Sequence, residues 1–279
     1  MVLSGKYNVV NCGGKTSIVV NLLNNLYSSL LPVIQDANSN SPSPAYKAFF
    51  KDPSYAPHVS TLFTNITTGI PLTSPATFSF NGAAALFCVT APEQFVYNYN
   101  GRRDAYTDCL ANPRTSSYYP RFDPPRQYIV LCPSFFTSNI VSLPPPNNCL
   151  TVNTAINRFH GNGQSLWLYK MWILLLMITH YYLYTSVQNL TITDTIDANK
   201  CFRLAAAQSV LNANNYVYYA ASVYGHCNDF PTSPADGRGT LEIDVGDPSD
   251  DGPDVAGPAV FTGIATDLEI GVVNTTGVP

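Results

Sequence analysis

The chain has 279 residues, 46% of them hydrophobic and 11% charged, which is enough apolar content for one large domain or two modest ones. A formal net charge of −4, with no basic cluster beyond the pair Arg102–Arg103, excludes a phosphate-binding surface and so nucleic acid as a partner. Low charge with 22 prolines and 18 tyrosines is not the composition of a cytosolic housekeeping enzyme.

The opening MVLSGKYNVV lacks the apolar run of roughly 7–15 residues that a signal peptide needs, and is expected to belong to a mature chain. NCGGK at 11–15 does not have P-loop spacing, so Gly13–Gly14 is expected to make a turn. Residues 16–31, TSIVVNLLNNLYSSLL, carry apolar residues at helical spacing, and Pro32 follows. Shorter helices are expected at 45–50 and 57–68, separated by KDPSYAP. Residues 77–99 alternate enough for two or three strands. NPRTSSYYPRFDPPRQ is expected to be a loop, YIVLC (128–132) a buried strand leading into the helical start PSFF, and SLPPPNNC a loop of polyproline character.

Two long helices are expected next. The first, over 163–187, is hydrophobic nearly all round and therefore buried on most faces. Its apolar stretch from Leu166 to Leu183 contains Lys170, Thr179 and His180, and the purely apolar part is about half of the ~20 residues a membrane span needs. A core helix is expected rather than a span. The second helix, over 202–224, follows QNLTITDTIDANKC. From residue 229 the composition changes: ten acidic residues stand against a single base, Arg238, amid frequent Gly and Pro. Residues 229–279 are expected to be an acidic extension, in which GTLEIDV and AVFTGIATDLEIGVV have strand-like alternation.

The cysteines are Cys12, Cys88, Cys109, Cys132, Cys149, Cys201 and Cys227. None forms a CxxC pair, which counts against a zinc ribbon and points to at least two disulfides and an oxidising, extracellular location. Six cysteines can make three bridges and leave one thiol; the connectivity stays open. Sequons at Asn65, Asn189 and Asn274 agree with secretion.

The chemistry concentrates where the two long helices meet. Two histidines four apart on one helix face can reach one zinc ion, a glutamate beside the first polarises a zinc-bound water, and an aspartate from the following turn completes the ligands. Leu176-Met177-Ile178-Thr179-His180 occupies such an HExxH window, with His180 as the second histidine, Leu176 at the first and Met177 at the base. Downstream, Leu190 to Ala198 resembles a GTxxDxxYG motif: Thr191 and Asp194 match, while Leu190, Asp197 and Ala198 replace the first Gly and the Tyr-Gly. IVLCPSFF and NANNYVYYA resemble the flanking segments. On these residues the region 125–227 resembles the aspzincin group of secreted fungal metallopeptidases, the deuterolysins and peptidyl-Lys metalloendopeptidases. The resemblance implies an α+β, mainly helical, zincin-like domain with a small β-sheet over 1–228.

It also implies that His180 and Asp194 are remnant metal ligands. Leu176 has no metal donor and Met177 cannot act as a base, a loss worth roughly 10²–10⁴ in rate on its own. The expectation is therefore a secreted pseudo-metallopeptidase without zinc or other cofactor, which binds a peptide, glycan or host protein in the former substrate cleft. Tyr181, Tyr184 and Asp197 are candidate binding residues there, and Tyr182, Tyr216, Tyr218 and Tyr219 either add aromatic surface or pack in the core. Two rivals stand beside this reading. One is an active zinc endopeptidase using a shifted site of His160, His180 and Asp194; His226 follows the last helix. The second is a structural or surface interaction protein.

Overall fold

The computed structural model describes residues 2–3, 7–69, 85–92, 94–98, 101–111, 117–118, 128–137, 141–144, 169–186, 195, 198–228, 230 and 269–270. Its first elements are two short antiparallel strands, β1 (Val2–Leu3) and β2 (Asn8–Val10). Asn11 and Gly13 take φ of 59° and 49° to turn the chain into a short 3-10 turn and then α1 (Thr16–Ala37). A Cβ on Gly13 would meet nothing within 4 Å, so the glycine serves the backbone conformation rather than a close approach.

Helix α1 runs through Pro32 instead of stopping before it. Pro32 and Ser28 both lie on the exposed side, where water can satisfy the carbonyl that the missing N–H leaves open. Val33 and Ala37, beyond the proline, are buried and hold the last turns to the core. Ser43 then caps α2 (Pro44–Phe49): its hydroxyl accepts from Tyr46 N–H at 3.3 Å and donates to Asp36 Oδ2 at 2.7 Å. Helix α3 (Ala56–Thr68) ends at Gly69 in the left-handed conformation.

The remaining elements are β3 (Ala85–Cys88), β4 (Phe95–Asn98), β5 (Gly101–Asp104), α4 (Ala105–Ala111), β6 (Ser117–Tyr118), β7 (Tyr128–Leu131), α5 (Lys170–Ser186), α6 (Ala198–Arg203), α7 (Ala206–Ser209), α8 (Ala213–Tyr224) and β8 (Glu269–Ile270). The loop expected over 112–127 thus contains a two-residue strand. The helix expected over 202–224 is three helices. The N–H of Ala205 is taken by the Gln208 side chain at 3.3 Å, and Asn212 is extended with φ −99° and ψ 113°.

One sheet has the order β1-β2-β3-β7-β6, in which β2, β3 and β7 are parallel and β1 and β6 are antiparallel edges. The parallel strands require crossovers, which the helices supply. Alternation along the strands divides the sheet into two faces. Leu86, Cys88, Ile129 and Leu131 face the main helical core. Ala85, Phe87, Val89, Val130 and Cys132 face a smaller cluster with Ala105 and Cys109 of α4. A second, antiparallel sheet has the order β5-β4-β8. The architecture is mainly helical α+β, as the sequence led one to expect.

Disulfides Cys12–Cys88 and Cys109–Cys132 both stand at the C-terminal ends of the parallel strands. Cys227 is also disulfide-bonded. Cys201, a candidate for a bridge in the sequence, is instead a buried thiol. Cys149 lies outside the described residues.

Gly13–Ala37 is long and apolar enough to cross a membrane by length and composition, a stretch distinct from the apolar run noticed in the sequence. Here Leu22, Leu23, Leu26, Leu30 and Val33 are buried in the core, where α1 packs on α3, α5 and α8.

Candidate functional site

Helix α5 is the centre of the candidate site. Every residue from Tyr169 to Leu183 is buried, including Lys170, Thr179 and His180. The helix has no polar face because it is enclosed: α1, α3 and α8 pack on it, together with β6 and β7. Its N-terminus is anchored by Lys170, whose ammonium donates to the Thr137 carbonyl at 3.1 Å. Burial, with Lys15 adding to it, lowers the Lys170 pKa.

Leu176 and His180 are four residues apart and share one helix face. Leu176 is 3% exposed, Met177 1% and His180 8%. The window therefore offers one nitrogen donor, a methyl-bearing side chain and a thioether. That set does not fit zinc, which needs three protein ligands in a catalytic site, and it lacks the carboxylate base of such a window. Among the described residues no group of three or more His, Cys, Asp or Glu side chains could hold a metal ion. Asp194, Asp197, Thr191 and His160 lie outside the described residues, so the structure does not place them against His180. His226 is exposed, in a left-handed turn with φ 54° just beyond α8.

The aromatic run after His180 is core. Tyr181 and Tyr182 are 0% and 1% exposed, and Tyr216, Tyr218 and Tyr219 are buried as well. Tyr181, a candidate binding residue in the sequence, is thus placed in the core. Tyr181 and Tyr182 pack edge to face with ring centroids 4.9 Å apart. The Tyr7 hydroxyl donates to Ile66 O at 2.8 Å and is hydrogen-bonded to Tyr182. Burial, reinforced by the neighbouring phenols, raises the pKa of Tyr7, and burial raises those of Tyr181 and Tyr182. Tyr184 falls in the last turns of α5. Of the sequons, Asn65 lies within α3 and is half-buried, with the Thr67 hydroxyl donating to Thr64 O at 2.9 Å; Asn189 and Asn274 are outside the described residues.

Sequence reasoning missed a polar cluster at the start of α8. Asn212, 1% exposed, contacts the backbone of Thr195, the Cys201 thiol and the Asn215 amide. Asn215 in turn donates to the Phe49 carbonyl at 2.7 Å, which ties α8 to the end of α2. The signal was present: an asparagine directly before an apolar helical run is a helix-start residue. It also missed β6 as an edge strand beside α5. Ser117 pairs with Leu131 and so points to the same face, toward the helical core.

These features define a mainly helical α+β protein on a small, centrally parallel sheet, with the closed apolar helix α5 at the centre of its core. No family model matches the chain, and no curated protein matches its sequence. A zinc peptidase from Grifola frondosa is among the similar solved structures, at 13% identity and a TM-score of 0.41, covering 75% of this chain and 95% of that one.

Proposed function

We propose that this chain is a secreted, non-hydrolytic relative of zinc peptidases that binds extended peptide. The observation that carries the reading is the burial of Leu176 and Met177, at 3% and 1% exposure, on the helix face shared with His180. Apolar side chains there remove both a metal donor and a base, and relieve the cost of leaving an empty polar site desolvated. The disulfide bonds support an oxidising compartment.

Peptide is favoured over glycan because, among the described residues, β6 is a sheet edge packed beside α5. An edge strand presents unpaired N–H and C=O groups to which an extended chain can add. Affinity from main-chain pairing needs no catalytic group, so binding survives the loss of chemistry.

The test is incubation of the purified protein with tryptic casein peptides, reading retention and cleavage separately, alongside elemental analysis. Retention of peptides, without new termini and without stoichiometric zinc, is the expected outcome. One zinc per chain that is lost in His180→Ala, with chelator-sensitive cleavage, would establish the rearranged-site enzyme instead.

A further inference from the structure

Lys51 sits at a strained point of the backbone. It takes φ of 64° while the Asp52 N–H donates to the Phe50 carbonyl at 2.7 Å, so the chain makes a tight γ-turn about a residue type that ordinarily avoids that conformation. Its stem is partly exposed, but its Nζ is buried and has no hydrogen-bond partner. Burial lowers its pKa, and the Cys201 thiol, close enough to act on it, offsets part of that shift. The nitrogen therefore loses its proton more readily than an exposed lysine does.

Contacts that do not involve the amine bring Cys201 to this turn. Phe49 and Phe202 stack with ring centroids 4.7 Å apart, and α2 packs on α6. The Asn215 amide donates both to the Phe49 carbonyl at 2.7 Å and to the Cys201 carbonyl at 3.5 Å. One amide thus holds the residue two before Lys51 together with the backbone of Cys201. Cys201 is 0% exposed; its Sγ donates to the Thr195 carbonyl at 3.0 Å and accepts from Asn212 Nδ2 at 3.3 Å. The Asn212 donor, like a nearby ammonium, favours the thiolate, which is the reactive form.

An oxidised thiol ordinarily condenses with a second thiol. Among the described residues none is left for Cys201, because Cys12, Cys88, Cys109, Cys132 and Cys227 are all in disulfides. The nucleophile at hand is the Lys51 amine.

We propose that Lys51 and Cys201 are a redox-sensitive pair, in which oxidation of the thiol by hydrogen peroxide leads to a covalent bond between Cys201 Sγ and Lys51 Nζ. In the first step peroxide oxidises the thiol by two electrons to a sulfenic acid and is itself reduced, releasing one water. In the second the neutral amine attacks sulfur: the N–S bond forms, the S–O bond breaks, and the hydroxyl leaves with an amine proton as a second water. Peroxide, little larger than water, reaches the thiol through local opening, while bulkier thiols are kept from the sulfenic acid. The link fastens the end of α2 to α6 and does not depend on peptide binding.

The test treats the intact, folded protein with hydrogen peroxide, blocks residual thiols and digests it without reductant for mass spectrometry. The expected result is a pair of peptides joined through Lys51 and Cys201, lighter than their sum by two hydrogens, that dithiothreitol separates. Lys51→Arg keeps the charge but removes the amine nucleophile. It should give no joined pair and should raise the fraction of Cys201 carried on to sulfinic acid by about tenfold. Lys47→Arg, at an exposed lysine of α2, should leave the link intact. Sulfenic or sulfinic acid at Cys201 with no link to Lys51 overturns the proposal, and so does a Cys201 thiol that peroxide leaves unmodified. The peptide map of the unaltered protein decides the matter even where Lys51→Arg does not fold.

Discussion

At the scale of single residues, the tyrosines near the core govern the alkaline limit of the fold. The Tyr46 hydroxyl donates to the Asp52 carbonyl at 3.0 Å, and burial, with Asp52 adding to it, pushes its pKa from 10.0 up to about 12. The unfolded chain therefore releases this proton first. Stability from Tyr46 is complete below pH 10 and falls as pH rises toward its folded pKa. Tyr7, Tyr216 and Tyr219 are shifted in the same direction by burial. Denaturant midpoints measured from pH 8 to 12 should fall steeply above pH 10, and Tyr46→Phe should flatten that fall. Tyr219 adds a charged partner: its hydroxyl donates to Asp36 Oδ2 at 2.7 Å, the same carboxylate that Ser43 binds. Tyr219→Phe should cost about 1.5–3 kcal/mol in chemical denaturation, the range for a hydrogen bond to a charged group. Not all of this was legible in the sequence. Tyr219 could be read as core or as aromatic surface, because an aromatic at helical spacing suits either; only its placement against Asp36, 183 positions away, decides.

At the scale of elements, α5 was legible because the unbroken apolar run from Met171 to Ile178 leaves no polar face for water. Its interior position makes Leu176→Ala a cavity mutation, expected to cost about 2–5 kcal/mol in equilibrium unfolding. A loss below 1 kcal/mol would mean that position 176 faces solvent. Of the breaks that divide 198–224, the one before α8 had a signal in Asn212, whereas the one between α6 and α7 was not legible. The alanine-rich stretch Leu204 to Gln208 has strong intrinsic helix propensity, and tertiary contacts override it. Asn212 leaves helical geometry because its amide is engaged with Thr195, a partner that no local pattern reveals. Pro32 misled for the opposite reason. A proline on an exposed helix face interrupts less than one facing the core. Strand β6 escaped notice because two residues are too few to show alternation.

At the scale of the whole molecule, one disulfide ties the C-terminal ends of β2 and β3 together and the other ties the end of β7 to α4. Cys12–Cys88 spans 76 positions and Cys109–Cys132 spans 23. Loop-closure entropy gives roughly 4.5 and 3.4 kcal/mol for loops of these lengths. Replacing the first pair by serine should therefore destabilise the protein more than replacing the second, by about 1 kcal/mol in matched denaturant titrations. The cysteine content signalled an oxidised fold, but the pairing is a property of the sheet order, which brings β2 and β3 side by side. The functional reading also belongs to this scale, since it holds that helix α5 descends from a zinc-binding helix whose donors have gone. Restoring the donors tests this directly. Leu176→His/Met177→Glu, titrated with zinc in a calorimeter, should bind one ion per chain with micromolar or tighter Kd, where the unaltered protein binds none. A double variant that is well folded, with its disulfides intact, and that takes up no zinc would contradict the inherited layout.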